Sequence, residues 1–503
     1  MRLMRAAWSV RWVSALLAGA ALIAVLRQRG RSTQSATHDG PVRSTTRRAR
    51  QGNVVRLGGR VATTVASNRA RWVFASAERK DALNQELELK TAEDVASTLG
   101  NMKGAMMKLG QIASFVDDGM PEAVRSALGQ LQADAPPMSA DLAAGVIERE
   151  LGAPPDRVFE AWDPVPIAAA SIGQVHRAMT RDGLAVAVKV QYPGVETAIR
   201  ADLDSLNSSM FGAPMLYKNF NPQPFVDEIR ARISEELDYR LEAKNQQLFA
   251  DWYRGHPFIH VPDVVHGLST GRVLTTELAT GARFTELEAW DQHERNLAGE
   301  TIFRFVFRSL YRMRAFNGDP HPGNYLFQPG GHVTFLDFGL VKHYSDDDIS
   351  QLMDLVDTLV LHPDLERARQ AAVRAGYYPP DAPVSTQEIV DFSVAFWEMF
   401  RLDRAFQFTP EYATEVVRRF FLGRATHGDA VKYADMPARW TILQRINVGL
   451  IAILGRLRAE ANFRRIAEEL WPITDAPPST PLGEQEAAWW SSARRSAAAI
   501  DRR

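Results

Sequence analysis

The chain has 503 residues, of which 46% are hydrophobic, and its formal net charge at pH 7 is −1. That length allows one large domain or two to three ordinary ones, and the balanced charge gives no reason to expect a nucleic-acid partner. The sequence contains no cysteine, which excludes disulfide bonds and thiolate metal sites.

The N-terminal 30 residues differ in character from the rest of the chain. Arginines flank an apolar run at residues 12–26, which is shorter than the roughly 20 residues of a membrane-spanning helix. We interpret residues 1–30 as a membrane anchor, while a cleaved leader and an incorrect start site remain open. Residues 31–60 are basic and poor in apolar side chains, which predicts a flexible linker, either solvated or resting on an anionic membrane surface.

Residues 61–150 are predicted to be helical. Apolar side chains recur there at steps of three and four, which is the period of an amphipathic helix; they are Val95, Leu99, Met102, Met106, Leu109 and Ala113. Lys108 and Gln111 lie within this helix, where by themselves they are ordinary surface residues. Ser139 is a suitable N-cap for a second helix that ends near residue 150.

From residue 151 the pattern favours strands. The apolar runs 166–178 and 185–191 are separated by Asp182-Gly183, which predicts a β-hairpin. The first run contains small residues whose backbone N–H groups can approach phosphates closely; they are Ala168, Ala169, Ala170 and Ser171. Val186-Ala187-Val188-Lys189 matches the kinase strand whose lysine pairs with nucleotide phosphates and with a helix glutamate.

Residues 224–252 are predicted to form one periodic helix that carries several acids. Either Glu236 or Glu242 could pair with Lys189, and the sequence does not decide between them. A strand is predicted at 273–281. Its end suits a hinge between two lobes, and the backbone of such a hinge contacts the edge of the adenine ring. The residues assigned to that hinge are Glu277, Leu278 and Ala279.

The stretch 317–340 reads NGDPHPGNYLFQPGGHVTFLDFGL. Two short apolar runs flank a Pro-Gly-Gly turn, which predicts a β-hairpin. Asp319 lies five residues before Asn324 and eighteen before Asp337. In phosphoryl transfer one carboxylate orients or deprotonates the attacking hydroxyl, while an amide and a second carboxylate hold Mg²⁺ against the ATP phosphates. We assign Asp319 to the first role, and Asn324 and Asp337 to the second.

Helices are predicted on both sides of this stretch, at 296–316, 346–362, 365–376, 386–404, 409–423 and 440–470. The tail, 476–503, contains Trp489-Trp490 beside Arg494-Arg495. It could lie at an interface, but we expect it to be disordered.

Together these motifs resemble the UbiB-like atypical kinases, also called AarF- or ADCK-type, over roughly residues 92–361. The family is linked to ubiquinone and other isoprenoid-lipid biology. Lys108 and Gln111 match its KxGQ signature, and the Ala168–Ser171 run matches its alanine-rich loop. Glu236 and Asp238 match its ExD motif. Lys189, Asp319, Asn324 and Asp337 match its phosphate-pairing, catalytic and metal residues.

The resemblance implies an α+β, bilobal protein-kinase-like fold. It has a helical KxGQ extension (61–150) over the site, an N-lobe (151–280) and an enlarged helical C-lobe (281–475). Lys108 would contact the ExD acids there. Gly318 replaces the arginine of an ordinary kinase catalytic loop and no Ala-Pro-Glu motif follows Asp337, so an activation loop controlled by phosphorylation is not expected.

The implied function is an ATP- and Mg²⁺-dependent kinase or ATPase that supports quinone or other lipid metabolism. The alternatives are a non-catalytic ATP-binding scaffold and a small-molecule phosphotransferase. Expected partners are ATP, a lipid or quinone-like molecule, a membrane surface and biosynthetic enzymes, with no nucleic acid. The protein is expected to be membrane-associated, with its kinase domain in the cytoplasm.

Overall fold

The computed structural model describes residues 138–170, 172–196, 237–317, 320–394, 397–422, 433–434 and 437–500. The expected anchor, the linker and the KxGQ helix lie outside these ranges. The chain divides into two compact units. The first takes the described residues up to Arg240 together with Val265–Thr275, and the second takes Leu241–Val264 and the described residues from Thr276 onward. The chain therefore passes between units at three points, and not once at residue 280 as the sequence suggested.

The described elements follow one another in this order as far as residue 277: α1 (Ala140–Leu151), α2 (Pro155–Val158), β1 (Ala161–Ala169), β2 (Gly173–Met179), β3 (Ala185–Gln191), α3 (Tyr239–Trp252), β4 (Ile259–His260) and β5 (Val273–Glu277). Next come α4 (Phe284–Leu287), α5 (Gln292–Arg308), β6 (Ala315–Asn317), β7 (Tyr325–Gln328), β8 (His332–Phe335) and β9 (Val341–His343). The rest are α6 (Asp346–Val356), α7 (Leu365–Arg374), α8 (Thr386–Val394), α9 (Glu398–Arg401), β10 (Phe406–Gln407), α10 (Pro410–Leu422), α11 (Ala438–Leu457), β11 (Glu460–Ala461), α12 (Phe463–Leu470) and α13 (Pro481–Ile500).

The first unit is built on a sheet with the strand order β1-β2-β3-β5. Strands β1, β2 and β3 pair antiparallel in sequence, and the Asp182-Gly183 hairpin is confirmed, with Gly183 at φ +85°. Helix α1 begins after Ser139, whose side chain accepts a hydrogen bond from the Leu142 N–H. This confirms Ser139 as the N-cap.

Gly173, at the start of β2, occupies a position with no room for a side chain. A Cβ built there would lie 2.4 Å from the Val190 backbone oxygen and 2.8 Å from Tyr239 Oη. The backbone oxygen belongs to the neighbouring strand β3, so it cannot move without disturbing the pairing of the two strands.

We therefore expect Gly173→Ala to lower the free energy of unfolding by at least ~1–3 kcal/mol, the usual cost of overpacking. Gly145→Ala in α1 is the matched control, because a Cβ there would meet only Arg149 Nη1, at 3.6 Å. Alanine is favoured over glycine in a helix by about 1 kcal/mol, so the control is expected to be neutral or stabilising. Urea unfolding of both variants makes the comparison, and equal stability would contradict the steric argument.

The second unit packs around helix α5, in which every residue from 298 to 308 is buried. The sheet β4-β8-β7 lies in this unit. Its hairpin β7–β8 confirms the predicted hairpin, and its register runs from Tyr325 opposite Phe335 to Gln328 opposite His332. The Phe305 ring of α5 stacks on Phe335 with centroids 3.6 Å apart. Among the described residues, no helix is long and apolar enough to cross a membrane.

The described part of the tail is mostly helical, where we expected disorder. Helix α13 (Pro481–Ile500) occupies most of it, and Leu482 and Glu486 are buried in the second unit, at 3% and 0% exposure. Sequence reasoning failed here because the tail has few apolar residues, and a buried glutamate gives no hydrophobic signal. The arginine partners of Glu486, Arg304 and Arg308, lie far along the chain, in α5.

Candidate functional site

Lys189 lies on strand β3, opposite Val175 of β2. Its neighbours Val188 and Val190 are fully buried, and Lys189 itself is half-buried. Because strand side chains alternate between faces, Lys189 faces away from the side that buries the two valines. Its Nζ lies 5.1 Å from the centroid of the Tyr239 ring, within the range of a cation–π contact.

The alanine-rich segment joins β1 to β2. Ala168 pairs with Val175 and Ala169 with Gln174, and the Ala170 N–H donates to the Gly173 carbonyl at 2.8 Å. Ser171 lies outside the described residues. Ala168 and Ala169 are exposed, so the small side chains leave the backbone of this hairpin accessible, as a phosphate-contacting loop needs.

Asp238, the described acid of the ExD motif, is at the N-terminus of α3. Its Oδ1 accepts from the Arg240 N–H at 3.0 Å, which is the hydrogen bond of a helix N-cap. Glu236 lies outside the described residues. Glu242 is buried, at 5% exposure. The choice between Glu236 and Glu242 as the partner of Lys189 stays open.

The expected hinge follows the end of β5. The Glu277 N–H donates to the Asp263 carbonyl at 2.9 Å, and Glu277 Oε2 lies 3.5 Å from His260 Nε2. Strand β5 ends at Glu277 and not at residue 281, so Leu278 and Ala279 are half-buried residues outside any strand. Their role toward a nucleotide remains a prediction.

Asn324 and Asp337 lie at the open end of the β7–β8 hairpin. The Leu336 N–H donates to the Asn324 carbonyl at 3.0 Å, which extends the ladder by one pair and brings the two chain segments together. Asp337 Oδ1 accepts from the Gly339 N–H at 2.9 Å. Asn317 Nδ2 donates to the Asp337 carbonyl at 2.7 Å. The Asp337 backbone is therefore fixed from β6, while Asp319 lies outside the described residues.

Helix α3 holds the next residue of this loop, a contact that the sequence did not reveal. Asn245 Nδ2 donates to the Phe338 carbonyl at 3.2 Å, and the buried Phe338 ring lies 4.9 Å from that of Phe249. A Cβ built on Gly339 would lie 3.8 Å from Glu242 Oε2. Residues 242, 245 and 249 are spaced by three and four, so they share one face of the helix.

The sequence predicts this helix from apolar residues that recur at helical spacing, among them Leu241 and Leu248, but these two lie on its exposed face. Leu241 and Leu248 are exposed, at 37% and 43%, whereas Glu242, Asn245 and Phe249 are buried. The error has a physical cause: two of these three buried side chains are polar, and one of them, Asn245, binds the Phe338 carbonyl, so a search for apolar side chains selects the opposite side of the helix.

The donor set suits a magnesium–nucleotide complex. An amide oxygen and a carboxylate are hard ligands of the type that Mg²⁺ prefers, and Mg²⁺ is usually held by one or two carboxylates plus substrate phosphates. Within the described ranges, no group of three or more His, Asp or Glu could hold a metal by itself. Asn324 and Asp337 would hold the ion from the protein side, and the ion would neutralise charge on the phosphates.

The kinase-like α+β architecture and this loop define the class of protein, and comparison with known proteins defines the family. The ABC1 atypical kinase-like domain matches residues 130–372. The mitochondrial atypical kinase COQ8 of Saccharomyces cerevisiae is 29% identical over 382 residues, 75% of each chain. The probable protein kinase UbiB of Marinobacter nauticus is 30% identical over 311 residues, 60% of this chain and 56% of its own.

Two further proteins are similar to this chain. The chloroplast protein Activity of BC1 complex kinase 1 of Arabidopsis thaliana is 34% identical over 313 residues, 61% of this chain. A solved Mycobacterium tuberculosis structure, determined in complex with erythromycin, is 32% identical with a TM-score of 0.56, covering 78% of this chain and 98% of that one. The chain belongs to the UbiB-like family of ABC1 atypical kinases. It spans 46% of the length of the Arabidopsis relative.

Proposed function

We propose that the protein is an ATP- and Mg²⁺-dependent atypical kinase or ATPase. The observation that carries the proposal is the hairpin β7–β8, which brings Asn324 and Asp337 together at its open end. Lys189, on β3 of the first unit, supplies the cation that a kinase directs at nucleotide phosphates. In this proposal, Lys189 binds phosphate oxygens and the pair Asn324 and Asp337 binds the metal.

Asp319 is the proposed catalytic residue. It lies two residues after Asn317, the last residue of β6, whose side chain donates a hydrogen bond to the Asp337 carbonyl. A carboxylate here can accept a proton from a hydroxyl or water as it attacks. Lys108 and Gln111 are proposed to restrict access of the acceptor through the ExD acids. These three residues lie outside the described ranges, and their roles rest on the family's motifs.

Support of isoprenoid-quinone or other lipid metabolism at a membrane is the proposed biological setting. The name of the Marinobacter relative gives it as a probable protein kinase, and the names of the yeast and Arabidopsis relatives place them in mitochondria and chloroplasts. The apolar run at residues 12–26 supports a membrane location for this chain. In this proposal the acceptor is a lipid, a quinone-like molecule or water.

ATP hydrolysis by the purified full-length protein tests the proposal. We expect Mg²⁺-dependent phosphate release that increases with vesicles containing anionic phospholipid and a quinone-like lipid. Vesicles of neutral phospholipid alone are the control for surface effects. An arm with erythromycin tests the alternative of a small-molecule phosphotransferase, because one relative was solved with that ligand. Phosphate transfer to erythromycin in place of hydrolysis would favour the alternative, and no turnover in any arm would favour a non-catalytic scaffold.

A further inference from the structure

The C-terminal helix α13 is joined to the second unit by a buried ionic cluster. Arg304 Nη1 donates to Glu486 Oε2 at 2.9 Å and Arg308 Nε donates to Glu486 Oε1 at 2.5 Å. Arg304 also donates to Glu300 at 2.7 Å and to Glu469 at 2.8 Å. The Arg304 side chain is fully buried and that of Glu486 is 1% exposed. Two guanidinium groups thus form ion pairs with three carboxylates, which belong to α5, α12 and α13.

The cluster fixes the charge of Glu486. Burial by itself would raise the pKa of this carboxyl, but the charge of Arg308, the adjacent His256 and the charge of Arg304 outweigh burial and hold the pKa well below its ordinary value. His256 Nδ1 accepts from the Ile259 N–H at 3.1 Å, so its ring proton lies on Nε2. Burial lowers the pKa of His256, and the ring therefore stays neutral.

The start of the helix is fitted closely to this cluster. Thr480 Oγ1 accepts from the Gly483 N–H at 3.0 Å and from Arg304 Nη2 at 3.0 Å. A Cβ built on Gly483 would lie 2.6 Å from both Arg304 Nη2 and Glu469 Oε2. A side chain at this position would displace one of these two groups, so glycine allows the start of α13 to lie against the cluster.

One turn further on, α13 contacts the end of helix α3. The Trp489 ring lies 4.5 Å from His256 and nearly parallel to Tyr253 at 6.4 Å. Its Nε1 donates to the Arg254 carbonyl at 3.3 Å. The Trp490 ring lies 5.9 Å from Trp252. These contacts meet the last turn of α3 and the residues directly after it.

The same face of α3 leads from this contact to the metal loop. Positions 242, 245, 249 and 252–253 are spaced by three and four and lie along one side of the helix. At one end, Trp252 and Tyr253 meet α13; at the other, Asn245 and Glu242 meet Phe338 and Gly339. All of these residues belong to the second unit.

We propose that docking of α13 positions the metal loop through α3, so that Glu486 and Trp489 are positioning residues for Mg²⁺–nucleotide binding. A rigid helix transmits a shift at one end to the other, because its backbone hydrogen bonds keep it straight. When α13 is docked, Asn245 meets the Phe338 carbonyl and Asp337 is oriented; when the tail contacts are lost, α3 is free to shift and the loop loosens. The link to nucleotide rests on the proposed function, whereas the link to the loop does not.

Trp489→Ala in the full-length protein tests the proposal with two readouts. Hydrogen exchange in the nucleotide-free protein is expected to accelerate at the Phe338 and Gly339 amides. The Mg²⁺ concentration that gives half of the ATP-induced thermal shift is expected to rise on the order of 5–10-fold, toward the low end of usual coupling strengths. Trp489→Phe keeps a ring against Tyr253 and His256, so we expect it to restore most of both values.

Trp290→Ala is the matched control, because it removes a half-buried indole from the same core. Trp290 precedes α5, whose length of 17 residues separates it by about 25 Å from the Arg308 end. It is expected to lower the melting temperature without changing either readout. Trp490→Ala replaces Trp489→Ala if the latter fails to fold.

The outcomes separate the two proposals. If Trp489→Ala only lowers the melting temperature, as the control does, the positioning role is wrong and α13 is purely structural. If the wild-type protein shows no Mg²⁺–ATP shift at all, the proposed function fails, and exchange at Phe338 and Gly339 still decides whether α13 controls the loop.

Discussion

Asp337→Asn is expected to remove most of the thermal stabilisation that Mg²⁺–ATP gives the protein. The carboxylate is the charged ligand of the proposed metal pair, and an amide in its place is a much weaker ligand for a divalent cation. Mutation of a residue that only supports a metal ligand usually lowers metal affinity by about 10–100-fold. We therefore expect loss of the ligand itself to lower the Mg²⁺ affinity by at least that factor. Stabilisation by a ligand increases with the ratio of its concentration to its Kd. A titration of Mg²⁺ at fixed ATP, followed by the melting temperature, therefore measures the change in Mg²⁺ affinity.

Two comparisons make this result specific. Asp337 Oδ1 accepts from the Gly339 N–H, and asparagine can keep that hydrogen bond through its carbonyl oxygen, so the loop should survive. Asp347→Asn removes an exposed carboxylate from the first turn of α6 and is expected to leave the titration unchanged. An Asp337→Asn protein with the wild-type Mg²⁺ dependence would show that the metal lies elsewhere.

Asp319→Asn is expected to separate binding from turnover. The residue is assigned to the acceptor and not to ATP, so the Mg²⁺–ATP thermal shift should stay close to that of the wild-type protein. Turnover should fall on the order of 10²–10⁴-fold, the usual contribution of a general base. Parallel measurement of thermal shift and phosphate release checks both parts.

Asp337→Asn provides the contrast, since it should weaken both binding and turnover. If Asp319→Asn hydrolyses ATP at the wild-type rate, then Asp319 is not the base, or the measured activity comes from a contaminant. If it loses the thermal shift, then the residue contributes to nucleotide binding and the assigned role is wrong.

The parts of the fold that the sequence predicted are those governed by local patterns. Asp182-Gly183 and the turn at 329–331 predict their hairpins because glycine can adopt the positive φ that these turns need, and both are found. The Ser139 cap is likewise a local hydrogen bond. The spacing of Asn324 and Asp337 follows from the hairpin length, so the sequence also predicted that these two residues come together.

The contacts that the sequence missed join distant segments through polar groups. Asn245 binds the Phe338 carbonyl from 93 residues away, and Arg304 meets Glu486 from 182 residues away. Neither Asn245 nor Glu486 gives a hydrophobic signal, although both are buried. In α3, tertiary hydrogen bonds decide which face is buried, although the hydrophobic periodicity indicates another face. In the tail, they hold the helix in place although its sequence is not strongly hydrophobic. The signal that the sequence offered for this face is the helical spacing of two polar residues and one aromatic residue, Glu242, Asn245 and Phe249.

A crystal structure of the protein with Mg²⁺ and a non-hydrolysable ATP analogue tests the central claim most directly. The account predicts a metal ion about 2.1 Å from oxygen atoms of both Asn324 and Asp337, with its remaining ligands from phosphate and water, and a phosphate oxygen within hydrogen-bonding distance of Lys189 Nζ. A nucleotide bound with the metal away from Asn324 and Asp337, or no nucleotide at saturating concentration, would contradict it.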